Sequence, residues 1–370
     1  MKIVAEQYIP HVEHYFGHYG ELILKPGREI TVSDVKDADI LLVRAVTQVN
    51  ENLLANSRVK YVGSVTAGAD HLDTHWLDQA GIAWDVAAGF NAPPVADYVV
   101  SVIAALQRKK IVTQNKLKAA VIGVGHVGKL VTQHLQLLDM NVVTCDPIRA
   151  ATEEKFSSVA LENISDCDII TLHVPLTKSG EHPTYHFIDR EFLSRQKPGC
   201  VLINASRGAV LDEQILLLHG THLHWCLDVF EHEPTINQHI LERALLATPH
   251  IAGYSVQGKI RGIDMIYRAA CAKKIIEPMV DSPINMPRQT LRFAGENHHW
   301  QDMVLGVFNP IIMTSIMRTT LLSEEIHGPL FDKMRHEFSY RHELAYTSVS
   351  GVVLPDADIR ILAKLGMQIL

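Results

Sequence analysis

At 370 residues and 41.3 kDa the chain is too long for one ordinary domain, and about 150 residues per domain predicts two to three. With 47% hydrophobic and 20% charged residues, its composition is that of a folded globular protein, neither disordered nor collagen-like. The formal charge of −7 lacks the basic excess of a general nucleic-acid or anionic-membrane binder, yet leaves room for a locally basic pocket around a small anion.

The most apolar stretches, 98–106 and 303–313, are shorter than the ~20 residues of a spanning helix. The first residues reach Glu6 before any signal-peptide-like apolar region develops. Cys145, Cys167, Cys200, Cys226 and Cys271 are scattered and form no CxxC pair, so they read as reduced thiols in a cytoplasmic protein, with neither disulfide framework nor zinc site. No nucleic-acid or membrane partner is expected.

In chain order, residues 2–5, 40–43 and 59–62 predict strands, and 49–56 and 72–80 predict helices. This alternation implies an α/β layer with a parallel sheet. Pro93 and Pro94 then open a helix over 95–108, because first-turn N–H groups have no intrahelical acceptor to lose. From 117 to 251 the alternation is clearest: strands over 119–122, 142–145, 169–173, 201–204 and 224–229, helices over 127–138, 161–164, 190–194 and 213–219. These strands are nearly continuous in apolar residues, as strands covered on both faces are. The pattern turns helical over 260–276, and Pro278, Pro283 and Pro287 suggest a boundary. Beyond it come a helix over 301–322 broken at Pro310, a helix over 329–343 and a strand over 349–354.

Strand 119–122 runs into Gly123-Val124-Gly125-His126-Val127-Gly128, a GxGxxG loop followed by an amphipathic helix. Gly123 permits the tight turn, Gly125 lets backbone approach a pyrophosphate, and Gly128 lets helix and strand pack closely. The helix N-terminus offers N–H donors and a positive dipole end to phosphate. Asp146, 18 residues after Gly128, can accept from both ribose hydroxyls and would repel a 2′-phosphate, which selects NAD over NADP. Its alternative is a turn residue before Pro147.

Three later segments follow predicted strands: Asn204-Ala205-Ser206-Arg207-Gly208, the stretch from Asp228 through Glu233 to Pro234, and Thr248-Pro249-His250-Ile251-Ala252-Gly253. Ligands of open α/β sheets bind beyond such strand ends. The segments supply an Arg to grip a carboxylate, a His to move a hydroxyl proton and a Glu to hold the imidazole.

The ordered set GxGxxG, Asp146, NxxRG, DVxxxEP and PHxxG resembles the D-isomer-specific 2-hydroxyacid dehydrogenase family. Residues 43–47, 66–71, 249–254 and 331–335 narrow the resemblance to members acting on a small phosphorylated 2-hydroxy acid. It implies an α/β fold of two Rossmann-like lobes, one flavodoxin-like and one NAD-binding, each a doubly wound parallel sheet, with a small C-terminal α/β dimerisation module. The expected boundaries are 1–92 (completed by about 255–285), 93–254 and 286–370.

By the same resemblance Arg207 and Glu233 occupy active-site positions and His250 that of the proton donor. Asp146, Asp228 and Gly253 match NAD-binding positions, with the backbone of His126 and Val127 beside the pyrophosphate. Thr66 and Tyr254 match substrate contacts. Ala45 replaces a usual serine, removing a hydroxyl contact, and Val174 stands where a threonine can line the cofactor site. Arg44 reads either as a structural ion pair or as a partner of the substrate's carboxylate or phosphate. His71, His173 and His232 read as packing or surface residues. A homodimer is implied. The alternatives are a sister enzyme acting on 3-phosphoglycerate or another 2-hydroxy acid, and an NAD(H)-sensing corepressor or scaffold on the same fold.

Overall fold

The structure, a computed structural model, describes residues 1–113, 116–279, 283–322, 327–338 and 341–370. The chain divides into two compact units, Met1–Asn91 with Ser255–Pro287 and Ala92–Tyr254 with Arg288–Leu370.

In the first unit, strands β1 (Lys2–Glu6), β2 (Glu21–Lys25), β3 (Ile40–Val43), β4 (Tyr61–Ser64) and β5 (Ala83–Val86) form a parallel sheet in the order β2-β1-β3-β4-β5. All four residues of β3 are buried, which is why it reads as an unbroken apolar run. The helix Val256–Ala272 begins at Ser255, whose hydroxyl accepts the Gly258 N–H. Its Ile260, Ile263 and Ile266 are buried; Ile263 and Ile266 join one core with Tyr15, Phe16 and Tyr61. The opposite face of the sheet is filled by Leu41, Val43, Val62 and Leu77. The chain leaves β1 for β2 on one side and returns to β3 on the other, so the topological switch lies between β1 and β3.

The second unit holds β6 (Lys118–Ile122), β7 (Asn141–Cys145), β8 (Ile169–Leu172), β9 (Val201–Asn204), β10 (His224–Leu227) and β11 (Leu246–Ala247) in the parallel order β11-β10-β9-β8-β6-β7. Its switch point falls between β6 and β8. The helix Ala92–Arg108 is buried almost all round, from Val95 to Leu106, and so serves as a core element. Proline lies in its first turn, as the sequence predicts.

The C-terminal stretch has its own parallel sheet, β12 (Gln289–Arg292), β13 (Thr347–Ser350) and β14 (Gln368–Ile369), in the order β12-β13-β14. It groups with the second unit because their cores merge: Trp300, Met303 and Val304 pack with Val100 and Ala104. Met317, Leu321 and Phe331 likewise join the cluster of Phe192 and Phe230. The expected break at Pro310 separates the helices Trp300–Val307 and Pro310–Leu321. Of the helix predicted over 329–343, His327–Glu337 is helical, while residues 339 and 340 lie outside the described residues. The strand predicted over 349–354 lies instead at Thr347–Ser350, and that over 59–62 at Tyr61–Ser64. Among the described residues no single helix is long and apolar enough to cross a membrane.

Candidate active site

The glycine loop follows β6, at the switch point of the second sheet. Gly123 has φ +84°, and a methyl group there would meet the His173 carbonyl and the Val174 side chain at 2.7 Å. A methyl on Gly128 would sit 2.0 Å from the Gly123 oxygen, so the helix can lie this close to the loop only without one. Gly125 caps the helix His126–Leu137, and a methyl on it would meet no atom within 4 Å. The loop therefore leaves open space in front of the first-turn N–H groups of His126 and Val127, the environment a pyrophosphate requires. Val174 borders the same turn. The residues present fit an NAD cofactor.

Asp146 combines both sequence readings. Its Oδ1 accepts the Arg149 N–H at 2.9 Å, capping the short helix Pro147–Thr152, while Oδ2 accepts the Val124 N–H of the glycine loop at 2.8 Å. The carboxylate is thus fixed against the loop, with acceptor capacity remaining for ribose hydroxyls. Arg149 lies beside it, paired with both Glu153 oxygens (2.6 and 2.9 Å) and 4.0 Å from the Phe156 ring centroid.

Arg207, Glu233 and His250 all follow strands β9, β10 and β11. Buried Asn204 ends β9 and ties the first loop: its Oδ1 accepts from Ser206, and its Nδ2 donates to the Arg207 carbonyl. A methyl on Gly208 would meet the Phe230 carbonyl at 1.9 Å, so the loop of Arg207 is pressed against the loop of Glu233. Glu233 Oε1 accepts the Phe230 N–H at 2.9 Å, and its Oε2 lies 2.7 Å from His250 Nδ1. The His–Glu pair expected from sequence is therefore formed. A carboxylate at Nδ1 assigns the proton to that nitrogen and leaves Nε2 for chemistry. Burial alone would raise the Glu233 carboxyl, but the facing His250, with Arg335, holds it below the usual range.

Asp228 is 1% exposed, and its carboxylate accepts from the Thr248 hydroxyl (2.6 Å) and the N–H groups of Ile251 and Ala252 (both 2.9 Å). Burial raises this carboxyl. Most of its acceptor capacity thus serves the loop of His250, a role the sequence did not suggest. His250 itself has φ +56°, uncommon outside glycine, and its N–H bonds to the Asp228 carbonyl at 2.7 Å. The loop is held from its other side by Arg341, 6% exposed, which donates to the carbonyls of Ala252 (2.8 Å) and Pro94 (2.7 Å). Gly253 follows directly. Tyr254 accepts from Arg335 at 3.4 Å and lies against Phe338. Arg335 and Arg341 were not singled out in the sequence. Each is far along the chain from the residues it touches, and an arginine in an apolar context was the only available signal.

In the first unit Arg44 follows β3, its Nε 3.5 Å from Glu6 Oε2, and exposed Ala45 comes next. Thr66, after β4, bonds to Ser64 and to the Gly68 carbonyl, and Ser64 meets His71 Nε2 at 2.7 Å. His71, 5% exposed, is a packing residue as expected. His173 is held neutral by burial, which lowers its pKa to about 3.

Two family domains match the chain: the D-isomer specific 2-hydroxyacid dehydrogenase catalytic domain over residues 3–170 and the NAD binding domain of the same family over 101–252. Erythronate-4-phosphate dehydrogenase of Coxiella burnetii is 40% identical over 97% of both chains. The protein of the same name from Acinetobacter baumannii is 44% identical over 93% of this chain and 98% of its own. Among solved structures, NAD+-bound 3-phosphoglycerate dehydrogenase of Entamoeba histolytica superposes with a TM-score of 0.63 at 22% identity, covering 77% of this chain and 99% of that one. D-Lactate dehydrogenase of Aquifex aeolicus gives 0.61 at 24%, covering 74% and 96%. Similarity of this extent, with both domain matches in register with the two parallel sheets, places the chain in the D-isomer-specific 2-hydroxyacid dehydrogenase family.

Proposed function

We propose that this chain oxidises 4-phospho-D-erythronate to 3-hydroxy-2-oxo-4-phosphooxybutanoate with NAD, a step of pyridoxal 5′-phosphate (vitamin B6) biosynthesis. The observation that carries the reading is the His250–Glu233 pair beside the loop of Arg207, in a chain similar over 97% of its length to a curated erythronate-4-phosphate dehydrogenase. NAD, when bound, accepts the hydride from C2. His250 Nε2 takes the hydroxyl proton, and ionised Glu233 stabilises the imidazolium that results. The Arg207 guanidinium grips the carboxylate next to C2 in a bidentate fork. Asp146 selects the unphosphorylated ribose, with Gly253 and Asp228 bordering the cofactor. Arg44, Thr66 and Tyr254 are proposed substrate contacts, and Ala45 supplies none through a hydroxyl. A nicotinamide absorbance assay tests the reading: 4-phosphoerythronate should be turned over and 3-phosphoglycerate should not. Equal or preferred turnover of 3-phosphoglycerate would assign the chain to a sister activity.

A cytoplasmic homodimer belongs to the same reading. Ile312 and Ile316, 59% and 47% exposed, border a cavity of about 680 Å³ lined also by Phe308, Met313 and Met334, a surface suited to a second copy. Replacing both isoleucines with Asp should yield a monomer by light scattering; an unchanged mass would move the interface elsewhere.

A further inference from the structure

The switch point of the first sheet carries a cluster of charges that the reaction as described leaves unused. Glu6 ends β1 and is 1% exposed, with no hydrogen-bond partner for its Oε2. Arg44 begins the segment after the neighbouring β3, its Nε 3.5 Å from that oxygen and its Nη1 donating to the Tyr8 carbonyl at 3.4 Å. Lys259 comes from a third direction, the N-terminal end of the helix Val256–Ala272, and its charge acts on both Glu6 and Arg44. Two cations against one carboxylate leave a surplus positive charge at the carboxyl ends of parallel strands, where open α/β sheets take their ligands.

Burial charges this cluster against its own preference. It pulls the Lys259 ammonium down to about 7, with Arg44 acting in the same direction and Glu6 opposing. It also raises the Glu6 carboxyl, against the pull of Arg44 and Lys259. An incoming anion relieves the repulsion between Arg44 and Lys259 and favours the charged amine. In the proposed reaction Arg207 is occupied by the carboxylate, so the other anionic group of the substrate needs cations of its own.

We infer that Lys259, with Arg44 and held by Glu6, forms the subsite for the phosphoryl group of the substrate, and that Lys259 takes up a proton when this group binds. The inference rests on the function proposed above and adds a specificity-determining residue to it. Arg44 and Glu6 are the charged groups acting on Lys259, one from the end of each strand at the switch point.

The test measures KM for 4-phosphoerythronate and the inhibition constant of D-erythronate, which lacks the phosphate, from pH 6 to 8.5. In the unaltered chain KM should rise above about pH 7 as the amine loses its proton. Lys259→Met should raise KM about 10- to 100-fold, as expected for a lost charge-assisted hydrogen bond, and leave D-erythronate inhibition within about twofold. Lys259→Arg, always charged, should keep the affinity and flatten the rise; the phosphate's own ionisation near pH 6 is common to every variant. Equal weakening of both ligands by Lys259→Met, or no weakening, overturns the inference. If Lys259→Met does not fold, Lys259→Arg decides, and a KM profile still rising as in the unaltered chain overturns it. An unaltered chain inactive on 4-phosphoerythronate would instead overturn the proposed function, and the subsite with it.

Discussion

The two units solve the same topological problem with opposite chemistry. Each has a parallel sheet that switches direction one strand in from an edge, between β1 and β3 in one and between β6 and β8 in the other. At the second switch point the chain presents backbone: the turn at Gly123, the open face over Gly125 and the start of a helix. At the first it presents side chains, Glu6, Arg44 and Lys259, on a scaffold with no glycine turn at the strand end. Backbone N–H groups hold a cofactor whose pyrophosphate never varies, whereas charged side chains can be changed one at a time to suit a substrate. The fold fixes where a ligand goes, and the loop chemistry decides which ligand it is.

If catalysis lives in the second unit, substitutions there should change rate and those at the other switch point should change affinity. The largest expected effect is from His250→Asn. Asparagine tolerates the left-handed backbone at this position but cannot move the proton, so kcat should fall about 10²- to 10⁴-fold with the melting temperature nearly unchanged. A rate within tenfold of the unaltered chain would remove His250 from the chemistry.

Arg341→Met comes next. It leaves the carbonyls of Ala252 and Pro94 without their donor and Asp228 without a nearby cation, in a fully buried place, at a cost of about 3–5 kcal/mol. Denaturant unfolding should show this loss, and an unaffected midpoint would mean that the clamp holds nothing.

Asp146→Ser should then shift preference from NAD toward NADP by about 1–3 kcal/mol, because it removes the repulsion and leaves Arg149 beside the ribose. Comparing kcat/KM for the two cofactors measures it, and a chain already using NADP as well as NAD would contradict the assignment.

The smallest and most specific shift belongs to Glu233→Gln. His250 holds the Glu233 carboxyl low against its burial, so by reciprocity the ionised carboxylate favours the protonated imidazole. His250 must begin neutral for oxidation, so removing the charge should move the acid limb of the oxidation profile, and the alkaline limb of reduction, to lower pH. About one pH unit corresponds to roughly 1.4 kcal/mol. The stability that this lowered carboxyl brings is present above the ordinary carboxylate range and is lost as pH falls through its own lower one. Unmoved limbs in a less stable protein would reduce Glu233 to a structural carboxylate.

Much of this was legible in the chain. Strands β3 and β9 and the helices Arg190–Ser194 and Glu213–His219 have the expected bounds, because buried apolar runs and Asp caps mark them plainly. The strands not anticipated, β2, β5, β11, β12 and β14, are all sheet edges. An edge strand pairs on one side only and tolerates charge, so Glu-Leu-Ile-Leu-Lys and Gln-Thr-Leu-Arg carry little apolar signal. The site divides similarly. Arg207, Glu233 and His250 stand in compact motifs, whereas Lys259 and Arg341 act across distances in sequence that only the folded chain closes.

The close approach of Gly208 to Phe230 has a consequence for how this site can change over evolutionary time. Arg207 is tied through Gly208 to Phe230, Phe230 to Glu233, Glu233 to His250, and His250 to Asp228, each by a contact with no slack. A linkage of that kind makes substitutions epistatic: one loop borrowed from a sister dehydrogenase meets neighbours shaped for another, and only the set can be exchanged together. New substrate preferences are then expected to accumulate where residues are joined less tightly, around Arg44 and Lys259, while the proton-moving chain is inherited whole.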